Sequence, residues 1–218
     1  GRQLRLDMAG AYKFQCSLEV STYEGQLGLG DKQDRSSPTV VAGLRRVVDM
    51  AGGEYHAIAV TLEGHVYAWG MGGATGHDAD CNVPTRVTAG LEGRGVGRVT
   101  AGKTHCMAVT QTGQLLTWGG GSYGQLGHGR REDEEVPRVV EGAGVVVGMA
   151  GGEEVSLVVR ESGEVVVFGT GGYVRGEDEE GNELDEPVFV VDGCLGLGAE
   201  VEEALVPTVV PGIMARGQ

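Results

Sequence analysis

The chain has 218 residues, 41 of them Gly; 40% are hydrophobic, and the net charge is −14. Glycine is costly inside helices, no Gly-X-Y triplet of the collagen kind runs through the chain, and the apolar share is too high for wholly disordered chain. Short strands joined by many turns remain, and the acid excess sets nucleic-acid phosphate and anionic membranes aside as direct partners.

Taken from the amino terminus, Met8-Ala9-Gly10 leads through Tyr12 and Cys16 to Gly25-Gln26-Leu27-Gly28-Leu29-Gly30-Asp31. A strand opening at proline follows, Pro38-Thr-Val-Val41, and then an apolar strand, Val47–Ala51, that ends in a small pair, Ala51-Gly52. Next come His56-Ala-Ile-Ala-Val-Thr61, a turn at Leu62-Glu63-Gly64, and His65-Val-Tyr-Ala-Trp69. Two β-rich runs around a glycine turn predict a hairpin.

The same order then recurs. Ala51-Gly52, Ala101-Gly102 and Ala150-Gly151 are spaced by 50 and 49 residues, and Trp69-Gly70, Trp118-Gly119 and Phe168-Gly169 by 49 and 50. His105-Cys-Met-Ala-Val-Thr110 and Val155-Ser-Leu-Val-Val-Arg160 repeat the first hairpin strand, and Gly113 and Gly163 repeat its turn. Proline strands recur as Pro84-Thr-Arg-Val87, Pro137-Arg-Val-Val140 and Pro187-Val-Phe-Val190. Proline lacks an N–H, so these strands are expected at sheet edges. A period near 50 with about four strands per unit predicts four-stranded sheets arranged about an axis.

The residues divide the chain into a degenerate partial repeat at 1–24, repeat units at 25–72, 73–121 and 122–171, and an acidic loop with a degenerate partial repeat at 172–218. The carboxyl-terminal Gly193-Cys-Leu-Gly-Leu-Gly198 and Pro207-Thr-Val-Val210 follow Pro187 by only 20 residues at Pro207. A whole hairpin is expected to be missing between the two prolines.

Gly25-Gln26-Leu27-Gly28 and Gly124-Gln125-Leu126-Gly127 lie 99 residues apart, two periods. With the downstream proline, the Ala-Gly-x-x-x-His strand and the aromatic-Gly end, the chain resembles the regulator of chromosome condensation repeat family over about residues 25–190. The second unit departs from the pattern, with Gly73-Ala-Thr-Gly76 in place of Gly-Gln-Leu-Gly. The resemblance implies an all-β fold, a β-propeller of the condensation-regulator type. Members close seven blades, and this length gives about three to four four-stranded blades, so the propeller is expected to be incomplete. A piece of a longer propeller ranks first, an arc completed by another subunit second, and a small closed ring third. Open blade edges predict self-association.

Several glycine-rich segments imitate catalytic motifs. Gly120-Gly121-Ser122-Tyr123-Gly124 matches a nucleophile elbow, but Gln125–Gly129 makes a poor helix start, which that motif needs. Gly119-x-Gly121-x-x-Gly124 matches a dinucleotide fingerprint without its βαβ unit. His56 and His105 sit at equivalent strand positions, which predicts a structural role. Trp69 and Trp118 are expected to pack between blades. His77-Asp78-Ala79-Asp80-Cys81 has metal-capable groups but no second ligand set, so no metal and no cofactor is expected. Cys16, Cys81, Cys106 and Cys194 form no CxxC pair and read as reduced thiols of an intracellular protein, cytoplasmic or nuclear. No apolar run reaches the roughly 18 residues of a membrane span, and no basic-then-apolar leader opens the sequence.

The expected function is therefore a noncatalytic interaction scaffold. The variable residues after each Ala-Gly, namely Glu54 and Tyr55, Lys103 and Thr104, and Glu153 and Glu154, recur at one level of each blade and should line one face. A run of acids, Glu177, Asp178, Glu179, Glu180, Glu183, Asp185 and Glu186, reads as a solvated loop or as a docking patch for a basic protein partner. The resemblance adds an alternative, guanine-nucleotide exchange on a Ran-like small GTPase. It also implies an ultraviolet-B receptor relationship, but the loops that carry tryptophans in that receptor hold none here.

Overall fold

The computed structural model describes residues 23–171, 195–197, 201 and 203–214, and the backbone of strands at 3–6, 12–15, 173–177 and 183–189. The amino-terminal sheet has three antiparallel strands in the order β1 (Gln3–Leu6), β2 (Tyr12–Gln15) and β3 (Thr39–Val40). Three four-stranded antiparallel sheets follow, each built from inside to outside in chain order. The first blade is β4 (Val47–Gly52), β5 (His56–Thr61), β6 (Val66–Gly70) and β7 (Cys81–Val87). The second is β8 (Val96–Ala101), β9 (His105–Thr110), β10 (Leu115–Gly119) and β11 (Glu134–Val139). The third begins β12 (Val146–Gly151), β13 (Val155–Arg160) and β14 (Glu164–Thr170).

The first two blades bury both of their faces, so their middle strands read as nearly unbroken apolar runs rather than alternating ones. Every residue of β5 and β9 is buried. Successive side chains point to opposite faces, and the two faces meet different neighbours. Ile58, Val60, Val66 and Ala68 of the first blade meet Val99, Cys106, Leu116 and Trp118 of the second. Met107, Val109 and Leu115 of the second blade meet Val158, Val166 and Phe168 of the third. The fold is an open array of propeller blades stacked through these layers.

The small pairs let the inner strands approach one another. A Cβ at Gly151 would lie 2.6 Å from the Ala101 carbonyl oxygen of the neighbouring blade. Asp49 Oδ2 accepts a hydrogen bond from Val99 N at 3.1 Å, tying β4 to β8. The glycine-rich loops hold consecutive blades together on the outside. Gln26 O accepts from Trp69 Nε1 at 2.9 Å, and Gly28, at φ 70°, lies flat on the same indole. Gly127 lies on Phe168 in the same way. Where Gly73-Ala-Thr-Gly76 replaces the motif, the chain forms a single helical turn, α1 (Gly72–Thr75), and Trp118 Nε1 finds no hydrogen-bond partner among the described residues.

Pro84 and Pro137 lie in the outermost strands β7 and β11, as their missing N–H requires, although both strands begin three residues before the proline. Pro187 does not follow them. It lies in β16 (Glu183–Phe189), which pairs with β15 (Tyr173–Glu177) in a separate two-stranded hairpin, Arg175 opposite Pro187. The outer strand of the third blade is β17 (Glu203–Met214), with Thr208 opposite Val167 and Val209 opposite Val166. The reason is the glycine loop. In the second blade Leu126 O accepts from Thr117 Oγ1 at 2.7 Å, in the loop that leads to the outer strand. In the third blade, Leu195 fills that role, buried against Val167 and Val210, and only Pro207 comes after it. The Pro187 strand has its own partner and is inserted ahead of the loop. No hairpin is missing between Pro187 and Pro207, because both follow a single blade's inner strands.

Candidate functional site: the charged mouth of the inner loops

The inner strands β4, β8 and β12 end on one face of the array, here the upper face, and three equivalent turns carry the chain into β5, β9 and β13. Each turn is closed by a backbone bond: Gly53 N to His56 O at 2.9 Å, Gly102 N to His105 O at 2.9 Å, and Gly152 N to Val155 O at 2.8 Å. Two further bonds join neighbouring turns, Glu54 N to Lys103 O at 3.0 Å and Lys103 N to Gly152 O at 3.1 Å. Glycine is needed here for space. A Cβ at Gly102 would lie 2.0 Å from His105 Cε1 and 2.6 Å from the Gly152 oxygen.

This lattice places equivalent residues side by side. Lys103 Nζ lies 3.9 Å from Glu54 Oε2 and 3.6 Å from Glu153 Oε2, an alternating row of charges across three blades. The Glu153 side chain is 81% exposed. Glu154 is buried and accepts a hydrogen bond from Gln125 Nε2 at 3.3 Å. Burial pushes its carboxyl above the usual carboxylate range; Lys103 pulls it down, and Glu153 and Glu54 push it further up. Tyr55 is exposed on the same rim. The carbonyls of Tyr55, Thr104 and Glu154 accept from Met71, Gly120 and Thr170 N, each at 2.9 Å, so these turns also fix the upper ends of the third strands. The sequence singled out all six residues. It missed Gln125, whose place in Gly124-Gln125-Leu126-Gly127 was the available signal.

Other candidates resolve into structure. His105 is fully buried, with Nε2 2.9 Å from Ser156 Oγ of the next blade. Burial, with a smaller contribution from the His56 charge, lowers its pKa to about 3, so it stands neutral. His56 is also buried. His77 Nε2 donates to Thr85 O at 3.3 Å and Asp80 Oδ1 accepts from Gly72 N at 3.0 Å. No three His, Cys, Asp or Glu side chains gather to hold a metal among the described residues. Ser122 lies in a turn, where Gly124 N bonds Gly121 O at 2.9 Å, with no helix after it. Cys81 and Cys106 are free thiols. Of the acidic run, Glu177, Glu183, Asp185 and Glu186 fall on the backbone of β15 and β16. Asp178, Glu179 and Glu180 lie outside the described residues.

The regulator of chromosome condensation (RCC1) repeat matches residues 22–60, 63–109 and 112–159, and a second description of the same repeat matches 47–74 and 98–125. The chain belongs to the RCC1 repeat family. It is 34% identical over 190 residues to the human E3 ubiquitin-protein ligase HERC2, a match that covers 80% of this chain and 4% of HERC2. It is 34% identical over 170 residues to the ultraviolet-B receptor UVR8 of Arabidopsis thaliana, covering 74% of this chain and 38% of the receptor. In fold it resembles human WBSCR16, with a TM-score of 0.67 and 26% identity over 86% of this chain and 45% of that one. It also resembles yeast RCC1 (Prp20), solved bound to Kap60, with a TM-score of 0.72 and 21% identity over 96% of this chain and 46% of that one. The binding properties of Prp20p from Saccharomyces cerevisiae to Gsp1p and histones accompany another of its structures. The chain spans less than half the length of each of these relatives.

Proposed function

We propose that this RCC1-repeat segment is a noncatalytic scaffold that receives a protein partner on its upper face, at the row formed by Glu54, Lys103 and Glu153 with Tyr55 and Glu154 beside it. One observation carries the reading: backbone bonds between blades lock three equivalent turns so that their charges fall in register. Loops on a rigid scaffold are where binding concentrates, and a fixed charge pattern selects orientation and partner. A partner with a basic contact surface fits the excess of carboxylates, and the net charge of −14 favours such a partner further.

The test is fluorescence anisotropy with two labelled candidates, a Gsp1-type small GTPase and core histones, both suggested by the Prp20 likeness. The expected result is saturable binding to one of them that weakens as salt rises and is lost in the Glu54→Lys, Glu153→Lys double variant. Binding of neither, or binding that ignores both salt and the double variant, discards the reading. The finer alternative is guanine-nucleotide exchange, supported by the family relationship. Exchange requires tighter binding to the nucleotide-free GTPase than to the loaded one. Release of labelled nucleotide no faster with micromolar protein than without it rejects this alternative and leaves the scaffold standing. We propose a cytoplasmic or nuclear location on the sparse, unpaired cysteines of the sequence, which imaging of a fluorescent fusion checks.

A further inference from the structure

We propose that a cleft on the lower face, at the boundary of the first and second blades, binds an oxyanion-bearing side chain, the carboxylate or phosphate of a peptide. The starting point is a break in the repeat that the fold does not require. From the outer strand of one sheet to the inner strand of the next, Val41 to Val47 and Val140 to Val146 each take six positions, whereas Val87 to Val96 takes nine. In the two shorter loops Leu44 and Ala143 dip into the inter-blade layers, and in the longer one Leu91 does so. The extra length places Glu92, Gly93 and Arg94 around Leu91 without adding to the core, and the loop is held by two turns, Leu91 N to Thr88 O at 3.1 Å and Arg94 N to Leu91 O at 3.0 Å.

The longer loop walls a cleft of about 360 Å³ against the turn at Gly64, a volume within the usual range of ligand sites, about 300–1,000 Å³. Its floor is apolar and buried: Val66, Val87 and Leu91. Its rim carries Arg86, Arg94 and His65. Arg94 Nη1 donates to Gln114 Oε1, which fixes the guanidinium at the rim. The Arg86 side chain has no hydrogen-bond or ion-pair partner among the described residues. Of the two acids at the rim, Glu63 is taken up by Arg46 at 2.5 Å, and Glu92 is left against two arginines. A planar guanidinium presents paired donors that match a carboxylate or phosphate, and the apolar floor suits the aliphatic stem that carries such a group. This site is independent of the charged mouth on the opposite face.

The test is an NMR titration of the ¹⁵N-labelled chain with O-phosphoserine, N-acetylglutamate and, as a neutral control, N-acetylglutamine. The expected result is saturable shifts at the amides of Gly64, Gly93 and Gly95 and at the Arg86 and Arg94 Nε–H groups, with one or both anions and not with the control. Arg86→Gln should weaken that binding by about tenfold or more, the loss that follows removal of a charge-assisted hydrogen bond. Arg94→Gln, also exposed, provides a second variant, and Arg45→Gln outside the cleft should change nothing. Tighter phosphoserine binding identifies a phosphorylated partner; equal or tighter glutamate binding identifies an acidic one. No saturation, shifts spread evenly over Arg45 and Arg98, or affinity unchanged in both cleft variants overturns the proposal.

Discussion

The second and third blades are built from nearly the same pattern and end up in different surroundings. Met107, Val109 and Leu115 of the second blade are buried beneath the third. Their counterparts on the third blade, Leu157, Val159 and Val165, are only half-buried, and Leu157 and Val165 pack against the cluster of Val167, Leu195 and Val210. The strands are equally apolar, so burial here is set by the next blade and not by the strand itself. Repeat arrays behave this way because each unit contacts only its neighbours.

That comparison can be broken by truncating matched residues. Met107→Ala should destabilise by about 2–5 kcal/mol, the usual range for a filled core position, and Leu157→Ala by clearly less, read as shifts in the urea midpoint at constant slope. Equal losses would mean that the third blade is as fully packed as the second. The matched glycines give a smaller contrast. Gly102→Ala forces a Cβ against the buried His105 ring and the Gly152 carbonyl and should cost about 1–3 kcal/mol as overpacking. Gly152→Ala meets chiefly a Val155 methyl, 2.6 Å away on a half-buried side chain that can rotate, so thermal melts should show a milder effect.

Acid sharpens the contrast further, because the third blade has Val155 where the second has His105. Unfolded, His105 takes up its proton near 6.5; folded, only at about 3. The unfolded state therefore holds the extra proton throughout that interval, and stability falls as pH drops through it. His105→Gln should flatten that part of the pH–stability curve, and an unchanged slope would show that the ring is not the titrating group. The half-buried face itself should favour a second copy of the chain, since the same face is an inter-blade interface twice already. Sedimentation should show mass rising with concentration, and Leu157→Lys should abolish the rise. The smallest effect is expected at the charged row: Lys103→Met should change stability by less than about 1 kcal/mol, as partly exposed ion pairs do, while altering partner binding.

Much of this was legible because the repeat prints each blade several times. The Ala-Gly pairs, the aromatic-Gly ends and the glycine turns located nine of the strands in the three blades, and the positions after Ala-Gly located the mouth, since equivalent residues in stacked units must lie at one height. The error at Pro187 has a local cause. Pro187-Val-Phe-Val190 has the composition of an outer strand, and strand composition does not say which partner it meets. Only its order relative to the glycine loop does, and Gly193-Cys-Leu-Gly-Leu-Gly198 comes after it. The one-turn helix at Gly72–Thr75 was hidden because four residues containing two glycines carry no helical period. The lower cleft was written in a spacing of nine against six, visible in the sequence but meaningful only once the loop's neighbours were known.

The clasp between each glycine loop and the following blade has a consequence for engineering. Gln26 and Gly28 rest on Trp69, and Gly127 rests on Phe168, so a blade is finished by a loop that its predecessor supplies. A unit excised at its own strand boundaries would leave an indole uncovered at one cut and a dangling lid at the other. Cassettes for grafting or shuffling should instead be cut ahead of the glycine loop, so that the lid travels with the ring it shields.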